Sequence, residues 1–215
     1  MVVAIDGPSG VGKSTVAREV ARRLGLPHLD TGSNYRAAAV AVVDAGANPS
    51  DAEAAAAVVE AAIIDYRDGV VLLDGVDVTE RARSPEVTAA SSLVAVHPAV
   101  RRSVVARQRA WVGERGGSAV VEGRDIGSVV FPDAAVKVYL TARPEVRAAR
   151  RSGDPEMAGR SPQAIAADMA RRDRRDSTRS ASPLEQADDA VVIDTSDLTV
   201  EEVVQQILDL VASSQ

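Results

Sequence analysis

The 215-residue chain contains no cysteine, which removes disulfides, thiolate nucleophiles and Cys-based metal centres together. Histidine is nearly absent: His28 and His97 lie far apart in sequence, so no zinc site is expected, and His28, in a short apolar stretch, reads as a strand or loop residue. Phe, Trp and Tyr make up 2% of the chain, too few for the aromatic platforms on which nucleic-acid bases stack. A formal charge of -6 gives no global attraction to DNA or an anionic membrane, so any site for a polyanion has to be local. No apolar run approaches membrane-span length and "MVVAIDG" begins a strand at once, so a cytoplasmic protein without a targeting segment is expected. Lysine is scarce as well. Of 25 basic residues only Lys13 and Lys137 are lysine and the other 23 are arginine, so each lysine position carries information.

What is present is aliphatic. Hydrophobic residues reach 46%, and the core has to be assembled from Ala, Val, Leu and Ile. "VVAID" (2–6), "LPHLD" (26–30), "SAVVEG" (118–123), "AVKVYLTA" (135–142) and "AVVID" (190–194) read as buried strands, each followed by a helix or a loop, which predicts an α/β fold with a parallel five-stranded sheet flanked by helices. Helices are expected from about Gly32 to Ala45, after Ser50 or Asp51, from Ser84-Pro85-Glu86 to about Val94, and from Pro98 through Arg115. Between them, apolar runs on either side of Asp74-Gly75 predict a β-hairpin within 68–80, an antiparallel excursion from an alternating chain. Gly153, Asp154-Pro155 and Gly159 mark turns in a segment, 150–162, flanked by helices, and Thr199 with Glu202 forms a capping box opening the last helix.

"GPSGVGKST" satisfies G-x-x-x-x-G-K followed by Ser or Thr, after a strand and before a helix. Gly7, Pro8, Ser9, Gly10, Val11, Gly12, Lys13, Ser14 and Thr15 therefore form a candidate loop for the phosphates of ATP. Its backbone N–H groups and the helix N-terminus would face the anion. Lys13 would reach the outer phosphates, and the Ser14 hydroxyl would join the shell of Mg2+. Such loops serve ATPases, GTPases, motors and small-molecule kinases alike, so the motif leaves the acceptor open.

Ligands of open parallel sheets sit beyond the carboxyl ends of strands, where "LDTGSNYRA" (29–37) offers Arg36 and "EGRDIGSVVFPDA" (122–134) offers Arg124. "RRDRRDSTR" (171–179) packs five arginines into nine positions. As a helix it lines Arg172, Arg175, Asp176 and Arg179 along one face, which suits a small anion or, equally, a solvated helix held by Arg–Asp pairs.

With these motifs the chain resembles the bacterial cytidylate (CMP) kinases of the P-loop nucleoside-monophosphate kinase family over nearly its whole length. "GRDIGSVVFPDA" with a later "RD-x-x-D-S-T-R" is the specific part. The resemblance implies ATP-dependent phosphorylation of CMP and dCMP, with Lys13, Arg36, Arg124 and Arg179 as the catalytic cations. It implies Arg36, Arg124 and Arg179 on the CMP phosphate, Arg172 and Asp176 near the sugar, Ser92, Arg101 and Asp125 on cytosine, and Thr31 close to the acceptor. Asp125 can accept from the cytosine amino group, while the ring carbonyl and N3 need donors such as Ser92 and Arg101. It further implies core segments 1–32, 101–149 and 163–215, a monophosphate-binding lobe at 33–100 that contains the small antiparallel sheet, and a lid at 150–162 in which Arg150, Arg151 and Arg160 face anions. A monomer with no nucleic-acid or membrane partner is expected. Arg171 and Arg174 are expected to be solvated or ion-paired. Ser33-Asn34 departs from the family's small-then-apolar pair. The rivals are a kinase for another small acceptor such as UMP, and a P-loop regulator or nucleic-acid ATPase, which the acidic, aromatic-poor composition opposes.

Overall fold

The computed structural model describes residues 1–67, 69–154, 157–179 and 181–214. The chain opens with β1 (Val2–Asp6), the glycine-rich loop and α1 (Lys13–Leu24), then β2 (His28–Asp30) and α2 (Thr31–Asp44). Helix α3 (Ala52–Ala61) precedes three short strands, β3 (Ile64–Arg67), β4 (Val70–Leu73) and β5 (Val76–Asp77). Helices α4 (Pro85–Val94) and α5 (Pro98–Gly113) lead to β6 (Ala119–Gly123), a π-helical turn (Ile126–Val130) and β7 (Val136–Thr141). Then come α6 (Pro144–Ser152), α7 (Pro162–Thr178), β8 (Val191–Asp194) and α8 (Val200–Ser213). Two compact units result, Met1–Leu29 with Trp111–Gln215, and Asp30–Ala110. The segment 33–100 read from sequence as a lobe falls within the second.

The first unit is built on a sheet of order β2-β6-β1-β7-β8, with β1 parallel to β6 and β7, and β8 parallel to β7. Its core is aliphatic, as the composition requires: Val3, Ile5, Val120, Val138 and Leu140 from the sheet meet Val16 and Val20 of α1 and Val204 and Ile207 of α8. Helix α1 stops at Gly25, whose φ of 64° provides the left-handed cap. Helix α8 starts on the expected capping box, with the Thr199 hydroxyl accepting from Glu202 N–H and the Glu202 carboxylate accepting from Thr199 N–H. No helix among the described residues is long and apolar enough to cross a membrane.

In the second unit, Asp51 caps α3 and Ser84 caps α4, each accepting backbone N–H groups of the first turn. The hairpin turns at Asp74-Gly75, where φ of 50° and 81° match the twist of a two-residue turn. Strand β3 was not expected. It pairs antiparallel with β4, Ile64 opposite Leu73 and Arg67 opposite Val70, making a three-stranded sheet of order β3-β4-β5. Asp68, at the edge of the expected hairpin segment, lies outside the described residues. Ala38, Val40 and Val42 of α2 pack with Val87 and Val94 of α4 and Val100 and Val104 of α5.

Gly7 shows how tightly the phosphate loop is seated. Its φ is 145°, and a Cβ there would lie 2.2 Å from the Leu140 carbonyl oxygen of β7. Gly7→Ala therefore combines backbone strain with a clash against backbone, at a cost of about 3 kcal/mol or more. Thermal unfolding followed by circular dichroism is expected to show Tm lowered by roughly 6 to 12 °C. Gly117→Ala, with φ of 71° but nothing within 4 Å of its Cβ, is expected to lower Tm by less than half as much.

Candidate active site

At the carboxyl end of β1 the loop curls and α1 begins at Lys13, whose Nζ donates to the Pro8 carbonyl at 2.7 Å. Burial holds the Lys13 ammonium well below the usual lysine range; Arg124 and Arg172 push in the same direction, and Glu122 and Asp6 oppose them. Two arginines and two carboxylates thus act on the Lys13 ammonium in opposite directions, on top of its burial. The Ser14 hydroxyl donates to Glu122 Oε2 at 2.9 Å, and Glu122 Oε1 lies 3.1 Å from His28 Nε2. A hydroxyl beside a buried carboxylate is a hard oxygen set that fits Mg2+, an ion that keeps several waters and takes one or two protein ligands. No cluster of three or more His, Asp or Glu side chains suited to a metal exists among the described residues.

Glu122 and His28 were missed as site residues by sequence reasoning. The available signal was an acid ending an apolar strand within "VVEG"; the pairing of β6 with β1 brings it to Ser14. Asp6 was missed too. Its Oδ1 accepts from Ile126 N–H and its Oδ2 from Gly127 N–H, both at 2.8 Å, so it pins the π-helical turn that follows Asp125. Burial pushes the Asp6 carboxyl up to about 6 despite these bonds, with Asp125 adding to the rise and Lys13 opposing it.

The acidic and basic residues expected in this unit do meet. Arg124 Nε donates to Asp176 Oδ2 at 3.2 Å, while Arg179 lies 3.6 Å from Asp125 Oδ1 and 3.8 Å from Asp176 Oδ1. Asp125 thus lies within ion-pair distance of Arg179. Arg179 follows the end of α7, and its Nε donates to the Ser182 carbonyl as the chain folds back. Arg172 sits near enough to Lys13 to affect it, whereas Arg171 pairs with Asp168 and Arg174 is exposed, as the helical spacing implied.

The expected lid arginines are all engaged. Arg150 donates to the Thr195 hydroxyl at 2.8 Å and carbonyl at 2.7 Å, Arg151 pairs with Asp154 at 2.7 Å, and Arg160 pairs with Asp168. Arg150, Arg151, Thr195 and Leu198 line a cavity of about 420 Å³ that continues from Gly12, Ser14 and Thr15 of the loop. Pro155 and Glu156 of the expected lid lie outside the described residues.

In the second unit, Asp30 caps α2 by accepting from Ser33 N–H and also receives the Ser33 hydroxyl at 2.7 Å and Arg36 Nη2 at 2.9 Å. Ser33 takes a second bond from Arg36 at 3.0 Å, so the departure at Ser33 gives this arginine a polar brace. Thr31 is buried at the start of α2. Ser92 is buried rather than on a helix surface. Arg101 is buried, donates to the Ala95 carbonyl at 3.3 Å and stacks 5.2 Å from the Tyr35 ring centre.

A phosphate loop at the end of a central parallel strand, with arginines at neighbouring strand ends, defines a P-loop nucleotide-binding fold. Solved structures agree on the fold alone: shikimate kinase from Bacteroides thetaiotaomicron (TM-score 0.51, 14% identity, 99% of this chain and 98% of that one) and TT1252 from Thermus thermophilus (TM-score 0.50, 20% identity, 99% and 96%). Residues 3–213 match the family model described as "Cytidylate kinase". The chain is 48% identical to a cytidylate kinase of Corynebacterium glutamicum over 100% of its length and 95% of that protein's. It is 50% identical to one of Mycolicibacterium paratuberculosis, over 98% and 95%. It also matches 44% of the length of a bifunctional pantoate ligase/cytidylate kinase of Synechococcus sp. at 50% identity. The chain belongs to the cytidylate kinase family.

Asp6 yields a pH signature. Its proton is held more tightly in the folded chain than at the ordinary value of 3.8, so the protonated form adds stability at acid pH and that contribution is lost as pH rises towards about 6. The difference corresponds to roughly 3 kcal/mol. Asp6→Asn stays neutral throughout. Urea denaturation from pH 4 to 7 is expected to shift the stability difference in the variant's favour by up to that amount; a difference independent of pH refutes the assignment.

Proposed function

We propose that this protein transfers the γ-phosphoryl group of ATP to CMP and dCMP, giving CDP or dCDP and ADP, as a cytoplasmic monomer. The observation that carries this reading beyond family membership is the buried cluster Arg124, Asp125, Asp176 and Arg179 in the same unit as the phosphate loop: an acid suited to an amino group, set among arginines suited to phosphate. Gly7 to Thr15 hold the donor phosphates, and Lys13 leaves the Pro8 carbonyl for them. Ser14, with Glu122 behind it, holds Mg2+, which when bound neutralises charge between the donor phosphates. Arg36, Arg124 and Arg179 bind the acceptor phosphate, Arg172 and Asp176 the sugar, and Ser92, Arg101 and Asp125 the base, with Thr31 beside the acceptor. Segment 150–162 acts as the lid and residues 33–100 as the acceptor lobe.

No side-chain nucleophile is required. An acceptor phosphate oxygen attacks the γ-phosphorus while the bond to the ADP oxygen breaks, and the protein supplies alignment and positive charge. Excluding water from the closed site prevents its competing as acceptor. A coupled assay for ADP with CMP, dCMP, UMP and AMP tests the reading: CMP and dCMP are expected to be preferred. Equal turnover with UMP removes the assigned specificity.

Lys13→Ala is expected to lower kcat on the order of a hundredfold or more, with circular dichroism unchanged. Near-normal turnover refutes the mechanism. Asp125→Asn separates base reading from bracing. Uracil carries a carbonyl where cytosine carries the amino group, so the new amide can donate to UMP. Loss of the Arg179 contact harms both substrates alike, whereas loss of base reading is expected to reduce the CMP-to-UMP ratio of kcat/KM by roughly ten- to a hundredfold, about 1 to 3 kcal/mol. An unchanged ratio leaves Asp125 only as a brace.

A further inference from the structure

Helices α6 and α7 both reach the phosphate loop, and they do so through two side chains that belong to none of the roles above. Arg147, one turn before Arg150 on α6, donates from Nη1 to the Ser9 carbonyl at 3.2 Å and to Asp173 Oδ2 at 2.6 Å. The other oxygen of Asp173, on α7, accepts from Ser9 N–H at 3.3 Å. The result is a closed ring in which the N–H and the carbonyl of one loop residue are gripped from two helices. The pair is well shielded, with side chains 12% and 17% exposed. At the next residue, a Cβ on Gly10 would lie 2.8 Å from both the Arg147 carbonyl oxygen and Met169 Cε, so the helices press on the loop without a gap.

A carboxylate beside a phosphate loop repels the ligand the loop is built for, so Asp173 needs a reason to be there. Its partner supplies one. Guanidinium has five N–H donors, and among the described residues Arg147 commits only Nη1, to Ser9 and Asp173. Arg150, one turn later on α6, also reaches the loop at the Val11 carbonyl, 3.4 Å away, but is held by the Thr195 hydroxyl and carbonyl, while Arg151 and Arg160 pair with Asp154 and Asp168.

We propose that Asp173 is a positioning residue for the nucleoside triphosphate donor: by tying Arg147 to Ser9 it fixes that guanidinium at the phosphate loop, with its remaining N–H groups directed to the donor's phosphates. The inference rests on assigning the loop to the donor. Asp173 also explains part of "RRDRRDSTR", where an acid among arginines looks at first like a weakening of anion binding.

Asp173→Asn keeps an acceptor for Ser9 N–H and removes the charge that holds Arg147. KM for ATP is expected to rise about tenfold or more, while KM for CMP changes less than twofold and Tm without ligand shifts little. Arg147→Lys, which keeps the charge but not the fork, is expected to lose donor affinity in the same selective way. The double variant is expected to be no worse than Arg147→Lys alone, because Asp173 acts through Arg147. Additive losses, equal weakening of ATP and CMP, or a loss of Tm with KM for ATP unchanged overturns the proposal. Should the Asn variant not fold, an unchanged KM for ATP in Arg147→Lys overturns it alone. Wild-type turnover of CMP with ATP in the same assay checks the donor assignment separately.

Discussion

A cation cannot be buried alone, and the phosphate-binding end of the large sheet is arranged around that constraint. Arg124 is held by Asp176, Arg179 by Asp125 and Asp176, and Arg147 by Asp173, while Glu122 and Asp6 temper Lys13. These carboxylates hold the positive groups in place without an added anion. The balance is least complete at Lys13. Burial and two arginines outweigh two carboxylates there, and the ammonium is held by the Pro8 carbonyl.

The same constraint divides the work of recognition. Phosphate is common to every nucleotide, so arginine forks provide strength without choice. Choice requires a group whose hydrogen-bonding sense differs between bases, and a carboxylate, an acceptor only, has that property. Asp125 takes that part in the proposed function, and its backbone is fixed because Asp6 pins the two N–H groups directly after it, Ile126 and Gly127, to the strand that ends in the phosphate loop. One buried acid thereby locks the turn after Asp125 to the strand before the phosphate loop. That acid bears the burial penalty, visible in its raised pKa.

Local signals in the sequence were sufficient for most elements. The Gly/Lys/Ser spacing, the apolar strand runs, Asp74-Gly75, and the caps at Asp51, Ser84 and Thr199 each encode a short-range geometry that tertiary packing did not override. Strand β3 escaped because Ile64–Arg67 follows α3 with no glycine or proline between, and only its pairing with β4 makes it a strand. The buried acids of the site escaped for a different reason. Ser14 and Glu122 are 108 residues apart, and Asp6 and Ile126 are 120 apart. No local pattern reports such a contact. Strand-end position offered Arg124 and helical spacing offered Asp176 and Arg179; family likeness supplied Asp125 and the roles expected of all four. It did not distinguish Arg147 from its neighbours on α6, since which arginine meets the loop depends on how α6 and α7 pack.

The second unit obeys the same rule by itself, and the departure at Ser33-Asn34 shows at what expense. Arg36 is held through Nη2 by Asp30 and Ser33, and Asp30 at once caps α2, so helix start and arginine position are one feature. Ser33 adds to that feature, since an apolar side chain there would offer Arg36 no acceptor. Asn34 does not: its amide oxygen is buried with no partner among the described residues, a defect worth about 1 to 3 kcal/mol. Helix α2 tolerates the defect because Ala37 to Val42 beyond it are buried in an aliphatic core that supplies the stability. A polar pair at the start of α2 therefore trades packing for a fixed arginine, which is the exchange the first unit makes with its buried acids.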